Sequence, residues 1–381
     1  METVYLDNAA TTPLSRNALN AMMPCMTKCY GNPSSSHVMG REARGAVEKA
    51  RKQTANAIGA QNNEIYFTSC GSESDNWAIK GAFWARKTRG RHIITSAIEH
   101  HAVLGTCRFL EQQGCRVTRL SVDEYGRVAP EDIVKNISDD TILISIMAAN
   151  NEIGTLEPIE EIGRIAHEHG ILFHIDAVQA VSSLPVNVEL WQADMLSLSA
   201  HKFHGPKGIG VLYIRSGTCL ETLIHGGEQE RGRRGGTINA AGVAGLGQAI
   251  EDAVRNRETN NAHVKELSAL LTQGILSICP EARLNGHPTE RLPGIVNISF
   301  PGLDQGILLN QFDMNGICVS GGSACASGNL EPSHVMSALG LPWERVISSV
   351  RFSIGTTTTR EEIEFVLSRL PRVIQETKAN C

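Results

Sequence analysis

Between residues 64 and 215 the chain alternates short runs of β-branched and large apolar residues with longer stretches whose apolar positions recur every three to four residues. The short runs at 64–68, 92–96, 116–120, 142–146, 172–175, 195–199 and 210–214 predict strands. The longer stretches at 75–87, 102–113 and 158–169 predict helices between them. Alternation of this kind implies an α/β fold, with a mostly parallel sheet flanked by helices. Ligands of such sheets bind beyond the carboxyl ends of the strands. After residue 240 the texture changes. A helical pattern runs through 241–278 without a strand, followed by strand runs at 294–300, 317–319 and 349–353 and a terminal helix over 359–376. This predicts a second, smaller α+β unit.

Two strand ends carry the most pointed chemistry. The run 194–199 leads through Ala200 and His201 into Lys202, and the run 172–175 ends in Asp176. A lysine at the mouth of a buried strand is badly placed for a solvated ammonium. It suits imine formation with an aldehyde once burial and nearby cations lower its pKa. Pyridoxal 5'-phosphate requires a Schiff-base lysine and an anion for its pyridinium nitrogen, the pair that Lys202 and Asp176 offer.

Other segments acquire meaning beside that pair. Residues 68–76 follow a strand and open a helix, so their N–H groups, with the hydroxyl of Ser72 or Ser74, could cradle a phosphate; alone, they would be read as a helix cap. His100, after the strand at 92–96, could stack on a pyridine ring and exchange protons with it, or serve as an ordinary hydrogen-bonded side chain. Asn151 could donate to the phenolate oxygen of the ring, although Asx residues after strands commonly form turns. Gln179 lies within reach of the same ring. His174, His201 and His204 raise a metal alternative, which the lack of a His-Glu-x-x-His or paired-cysteine framework disfavours. The glycine-rich stretch 226–237 holds Arg231, Arg233 and Arg234 and ends in Thr237; it reads either as a solvated face or as a phosphate contact across a subunit boundary.

Cys325 lies in a run of glycine, serine and alanine, where nothing has the bulk to pack it into a core. It reads as an accessible thiol on a mobile loop, able to act as a nucleophile. Arg351, between small hydroxyl residues in a strand, suits bidentate clamping of a substrate carboxylate, with a structural salt bridge as the alternative.

Composition narrows the classes. A chain of 381 residues exceeds one ordinary core, so two domains are expected. Forty acidic against 35 basic residues, with no dense basic block, disfavours nucleic acid as a partner. No uninterrupted apolar stretch approaches a membrane span, and residues 1–7 lack an export signal. The ten cysteines are scattered without a Cys-x-x-Cys pair, which argues for reduced thiols and a cytoplasmic location.

Together these residues resemble the cysteine desulfurases of the NifS/IscS kind, in the aspartate-aminotransferase fold type (pyridoxal phosphate fold type I). The resemblance runs from Tyr5-Leu6-Asp7-Asn8-Ala9-Ala10 and Gly31-Asn32-Pro33 through Ser199-Ala200-His201-Lys202 to Arg351-Phe352-Ser353. Ser323-Ala324-Cys325 followed by Leu330-Glu331-Pro332 is similar to the long-loop class, and residues 67–71, 229–234 and 333–336 look closer to NifS. The resemblance implies a large cofactor-binding domain over 16–255 and a small domain from 1–15 and 256–381 that carries the cysteine loop, about 318–332. It implies Lys202 as the Schiff-base lysine, Asp176 as the pyridinium partner, Gln179 and Asn151 on the ring, and His100 stacked on it. Ser72, Ser199, His201 and Thr237 would hold the phosphate beside Gly71. Arg351, helped by Asn32, would bind the carboxylate of L-cysteine, and Cys325 would take the sulfur as a persulfide. A homodimer and an iron–sulfur scaffold or other sulfur-acceptor protein are the implied partners. The chain ends at Cys381 without the longer tail of some relatives, a departure that bears on docking to a scaffold. Two other readings compete: a different pyridoxal enzyme, such as an aminotransferase or selenocysteine lyase, which gives Cys325 no essential task, and a sulfur-carrier or scaffold-binding protein indifferent to Lys202.

Overall fold

The computed structural model describes residues 3–322 and 332–380. A short strand β1 (Val4–Tyr5) precedes the main sheet, which is built from β2 (Ile65–Thr68), β3 (His92–Ser96), β4 (Arg116–Leu120), β5 (Thr141–Met147), β6 (Leu172–Asp176), β7 (Met195–Ser199) and β8 (Gly210–Ile214). Its order is β2-β8-β7-β6-β5-β3-β4, and only β8 runs against its neighbours. The expected mostly parallel sheet is therefore present, with each predicted strand within one residue of its bounds. Helices Gly71–Arg86, His101–Glu111 and Ile159–Glu168 fill the connections, the first starting four residues before the pattern suggested.

Alternation along the central strands decides what each sheet face holds. Ile144, Ile146, Phe173, Ile175, Leu196 and Leu198 join one cluster with Val47 and Ile58 of helix Val38–Ile58 and Leu246 of helix Ala240–Arg255. On the opposite face Leu143, Leu172 and Met195 pack with Trp77 and Phe83 of helix Gly71–Arg86. Two residues further along, that second face turns polar at Ser145, His174 and Ser197, all fully buried. A buried polar row is tolerable only when bonded. His174 meets this demand: its Nδ1 is 2.8 Å from Ser145 Oγ and its Nε2 is 3.0 Å from Ser197 Oγ. The strands then end on this face at Met147, Asp176 and Ser199, under the start of helix Gly71–Arg86.

A second hydrophobic cluster lies around β9 (Arg283–Asn285), β10 (Ile295–Ser299), β11 (Ile317–Cys318) and β12 (Ser349–Ser353). β12, β10 and β9 form an antiparallel sheet, while β1 pairs in parallel with β11 and brings Val4 and Leu6 into this cluster. The helical stretch expected as one unit over 241–278 is two helices, Ala240–Arg255 and Arg257–Ile278, parted at Asn256 (φ −100°, ψ 6°). A single straight helix would keep one apolar stripe. Here Leu246 and Ile250 serve the first cluster, and Val264, Leu267 and Leu271 the second.

The arginine-rich loop is largely exposed but is anchored by a buried acid. Glu230 is 4% exposed and accepts both Nη1 and Nη2 of buried Arg51 at 2.9 Å, as well as the Phe67 N–H at 3.0 Å. Glu230 and Arg231 adopt left-handed φ of 48° and 60°, a strain that such over-determined contacts sustain. Arg231 lies over the Tyr66 ring, 4.4 Å from its centroid, and Arg234 pairs with Glu73 in the first turn of helix Gly71–Arg86. The loop is thus strapped to the element that opens the site.

Glu157 provides a test of this packing. Its Oε2 accepts the Val128 N–H at 2.9 Å, its Oε1 has no partner among the described residues, and burial pushes its carboxyl up to about 8. The folded pKa lies above the unfolded one, so this stability is present at low pH and is lost as pH rises from about 4.5 through 8. Glu157→Gln is expected to remove the penalty, gaining up to about 4 kcal/mol near pH 8 and nothing near pH 4.5. Chemical unfolding of both proteins at the two pH values checks it; an equal gain at both would mean that folding does not shift the Glu157 carboxyl.

Candidate active site

The polar strand ends enclose a cavity of about 170 Å³ beneath the start of helix Gly71–Arg86. Gly71, Ser72, His100, Asn151 and Asp176 line it, together with Gln179, Ser199, His201, Lys202 and Arg351. Ten predicted site residues, drawn from positions 71 to 351, therefore converge. A larger cleft of about 610 Å³ shares Ala9, Gln179 and Lys202 with it and opens toward Asn256 and Ile295.

Lys202 closes a 3₁₀ turn, Ala200–Lys202, that follows β7 directly. This turn swings its half-buried side chain toward the segment after β1, where Nζ donates to the carbonyls of Ala9 and Ala10, the latter at 2.9 Å. Gln179 Nε2 also donates to Ala9 O at 2.9 Å. Asp176 ends β6, one strand over, and accepts the Val178 N–H at 3.0 Å. Burial raises its carboxyl to about 6, against the pull of the Val178 N–H and the Lys202 ammonium. A cationic ring nitrogen would remove the cost that burial imposes on its anion.

The helix start forms the other wall. At Gly71 a side chain has no room, since a Cβ would lie 2.8 Å from Val178 Cγ2. Ser199 Oγ is buried at this wall without a hydrogen-bond partner among the described residues. An unmet hydroxyl beside open helix N–H groups suits an anion. Ser74, the alternative hydroxyl, is not available: its Oγ is 2.8 Å from Thr68 Oγ1 and also reaches Cys70 O. His201 Nδ1 lies 3.2 Å from Thr11 Oγ1, and burial with Lys202 nearby holds its pKa down at about 4. Thr237 is exposed and borders a different pocket, beside Gly236 and Asn239. Asn32 is also exposed and outside the cavity, its Oδ1 accepting the Ser34 N–H at 2.9 Å. Within one chain these two are not brought to the site.

His100 caps helix His101–Glu111 by accepting the Ala102 N–H on Nδ1 at 3.1 Å. That bond leaves the proton of the neutral ring on Nε2. Burial, then Lys202, keeps its pKa at about 4, so the imidazole is neutral at pH 7. The two asparagines after β5 are placed differently. Asn150 is the turn former, its Oδ1 accepting the N–H groups of Glu152 and Ile153, whereas Asn151 lines the cavity. Arg351, 1% exposed on β12, donates to Asn151 O at 2.9 Å and to Asp7 Oδ1 at 2.8 Å. It makes the salt bridge of the second reading and also borders the cavity, with its Nε buried without a partner among the described residues. Cys325 lies outside the described residues.

Sequence reasoning missed three contributors. Cys70 and Asp75 also line the cavity, both within the segment read as a phosphate cradle. Glu99, fully buried, accepts the Ser96 hydroxyl at 2.6 Å and the Met147 N–H at 3.1 Å, and so ties the His100 turn to β5. An acid next to two histidines was the available signal. The histidines that raised a metal alternative are spread over different partners: His174 bonds two serines and His204 the Pro13 carbonyl and Thr356. Among the described residues no group of three or more His, Cys, Asp or Glu is arranged to hold a metal ion, and no helix is long and apolar enough to cross a membrane.

Known proteins share both this sequence and this architecture. The Aminotransferase class-V family matches residues 4–366. A protein of Methanosarcina thermophila named cysteine desulfurase IscS is 52% identical over 373 residues, covering 98% of this chain and 92% of that one. A solved structure named as a NifS-like protein superposes with a TM-score of 0.93 at 38% identity, covering 98% of this chain and 99% of that one. Another, SspA in complex with cysteine, reaches a TM-score of 0.83 at 37% identity, covering 94% and 100% of the two chains. With matches that span almost all of its residues, this chain belongs to the class-V aminotransferase family and, within it, to the cysteine desulfurases of the NifS/IscS kind.

Proposed function

We propose that this protein is a pyridoxal-phosphate-dependent cysteine desulfurase that takes the sulfur of L-cysteine, leaving L-alanine and a persulfide on Cys325. The observation that carries this reading is the convergence of Lys202, Asp176 and Arg351 on one cavity beneath a helix start. Relatives named cysteine desulfurase and a neighbour described in complex with cysteine support the substrate.

The donor set fits pyridoxal phosphate. Lys202 supplies an amine for covalent attachment, Asp176 a buried anion for a cationic ring nitrogen, and the unmet Ser199 hydroxyl with the Gly71 cradle a seat for phosphate. Gln179, Asn151 and His100 would border the ring, and Ser72 and His201 would complete the phosphate end. When bound, the cofactor supplies an aldehyde that captures the substrate amine and an electron-withdrawing ring that acidifies its Cα. Arg351 orients the substrate by its carboxylate, sharing its guanidinium with Asp7. Lys202, as a free amine, takes the Cα proton and holds it for return. The Cys325 thiolate attacks the substrate sulfur. The new S–S bond forms as the Cβ–S bond breaks, its electron pair stays on carbon, and a proton completes the methyl group of alanine.

The same reading takes 16–255 as the cofactor-binding unit and 1–15 with 256–381 as the smaller unit, which the two separate hydrophobic clusters support. Thr237 and Asn32, exposed on a single chain, would serve the site of a second copy in a homodimer. The persulfide would pass to an iron–sulfur scaffold or other acceptor protein in the cytoplasm.

The test is an absorption spectrum of the protein before and after L-cysteine, with alanine and persulfide quantified. A visible band that shifts while both products form in equal amounts is the expected result. Cys325→Ala is expected to keep the band and lose about 10²-fold or more in alanine formation, as for an essential nucleophile. Parent-like sulfur release by that variant would favour a pyridoxal enzyme of another activity.

A further inference from the structure

Asp75 lines the same cavity and has no part in the chemistry above. Helix Gly71–Arg86 brings it there: four residues after Gly71, it lies one turn below the helix start and faces the sheet. It is 1% exposed, and its Oδ1 has no hydrogen-bond partner among the described residues. Ser197 bonds the carboxyl group, and His174 Nε2 lies 3.6 Å from Oδ1. Ser197 is also the register partner of Asp176 across β6 and β7.

A helix packed on a sheet gains nothing from an unpaired buried acid, which is costly to retain. The groups that face it settle its charge. Cys70 comes from the start of its own helix, Glu99 from the turn after β3, and Asp176 and His174 from β6. None of these is a cation, because His174 is buried between two hydroxyls and its pKa is held at about 3. Lys202, the nearby ammonium, acts on Asp176. Two ionised carboxylates in one buried site repel, so such a pair carries a single negative charge. Burial and the neighbouring acids raise the Asp75 carboxyl well above its usual range, in the same direction.

We propose that Asp75 is a positioning residue: a neutral acid in the cavity floor that keeps the single negative charge on Asp176, the carboxylate that serves the cofactor ring. This rests on the pyridoxal phosphate reading above. It assigns the buried row Ser145–His174–Ser197 a purpose, as the hydrogen-bonded floor beneath Asp75 that offers it no cation.

The test compares the full-length parent with Asp75→Ala and Asp75→Asn. For each, pyridoxal phosphate is titrated into the cofactor-free protein, and the pH midpoint of the visible band of the loaded protein is measured. Asp75→Ala is expected to lose about tenfold in affinity and to move the midpoint by about half a unit or more. Asp75→Asn, uncharged and of the same shape, is expected to return within about threefold of the parent affinity, with the parent midpoint. An alanine variant with parent affinity and midpoint overturns the proposal. So does an asparagine variant as impaired as alanine, because the charge itself would then be required. Should the alanine variant not fold, the midpoint of the asparagine variant decides alone. A parent protein that takes up no pyridoxal phosphate removes the cofactor reading first, and is told apart because it needs no variant.

Discussion

Lys202→Ala is expected to lower alanine formation from L-cysteine by about 10³-fold or more, since on the proposed function it would remove both the attachment amine and the group that takes the Cα proton. The fold should survive. The Ala9 carbonyl keeps the Gln179 donor at 2.9 Å, and the 3₁₀ turn after β7 is made by backbone bonds. The variant should therefore unfold at a denaturant concentration close to the parent's, yet show no visible band with pyridoxal phosphate. Lys202→Arg separates charge from nucleophilicity, because a guanidinium stays protonated and cannot attack an aldehyde. It is expected to be as inactive as the alanine variant. Activity in the arginine variant would mean that Lys202 acts only as a cation. Comparison with Cys325→Ala divides the steps: the lysine variants lose the band, whereas the cysteine variant keeps the band and loses the persulfide.

The second large effect concerns stability. Replacing Arg51 or Glu230 by alanine is expected to cost about 3–5 kcal/mol, because each change leaves a buried partner charge uncompensated. Glu230 has further duties, accepting the Phe67 N–H at 3.0 Å while the chain holds left-handed φ at Glu230 and Arg231. The double variant is expected to cost less than the sum of the single ones, since the orphaned charge is then gone. Chemical unfolding midpoints of the parent, the two singles and the double measure this. Strict additivity would mean that the pair is not coupled. The loop that carries Thr237 is held by this pair and by Arg234 on Glu73, so its loss should also loosen any contact made there with a second copy.

Much of this was legible because the signals are local. Each main-sheet strand is a short apolar run bounded by turn residues, and β6 and β7 announce their ends by a carboxylate and by His-Lys. The anchoring of the arginine-rich loop was not legible because its partner is not local: Glu230 meets Arg51 at a sequence separation of 179 residues. The Asn256 break escaped for a similar reason, since the two apolar stripes address different clusters that no helical periodicity distinguishes. Thr237 and Asn32 entered only through family resemblance, and one chain alone does not bring them to the cavity.

What the sequence by itself determined is the element order and the mostly parallel sheet, and it nominated Lys202, Asp176, Arg351 and Cys325 as candidate reactive groups, because local pattern and residue type act over a few residues. What only the tertiary structure decided is how those groups are charged and paired. Burial by distant elements makes His100 neutral, raises Asp176, gives Arg351 both Asp7 and the cavity, and turns Asp75 from a helix residue into part of the site floor. The physical reason is that desolvation and charge coupling depend on distance through space, which the spacing of residues along a chain does not encode.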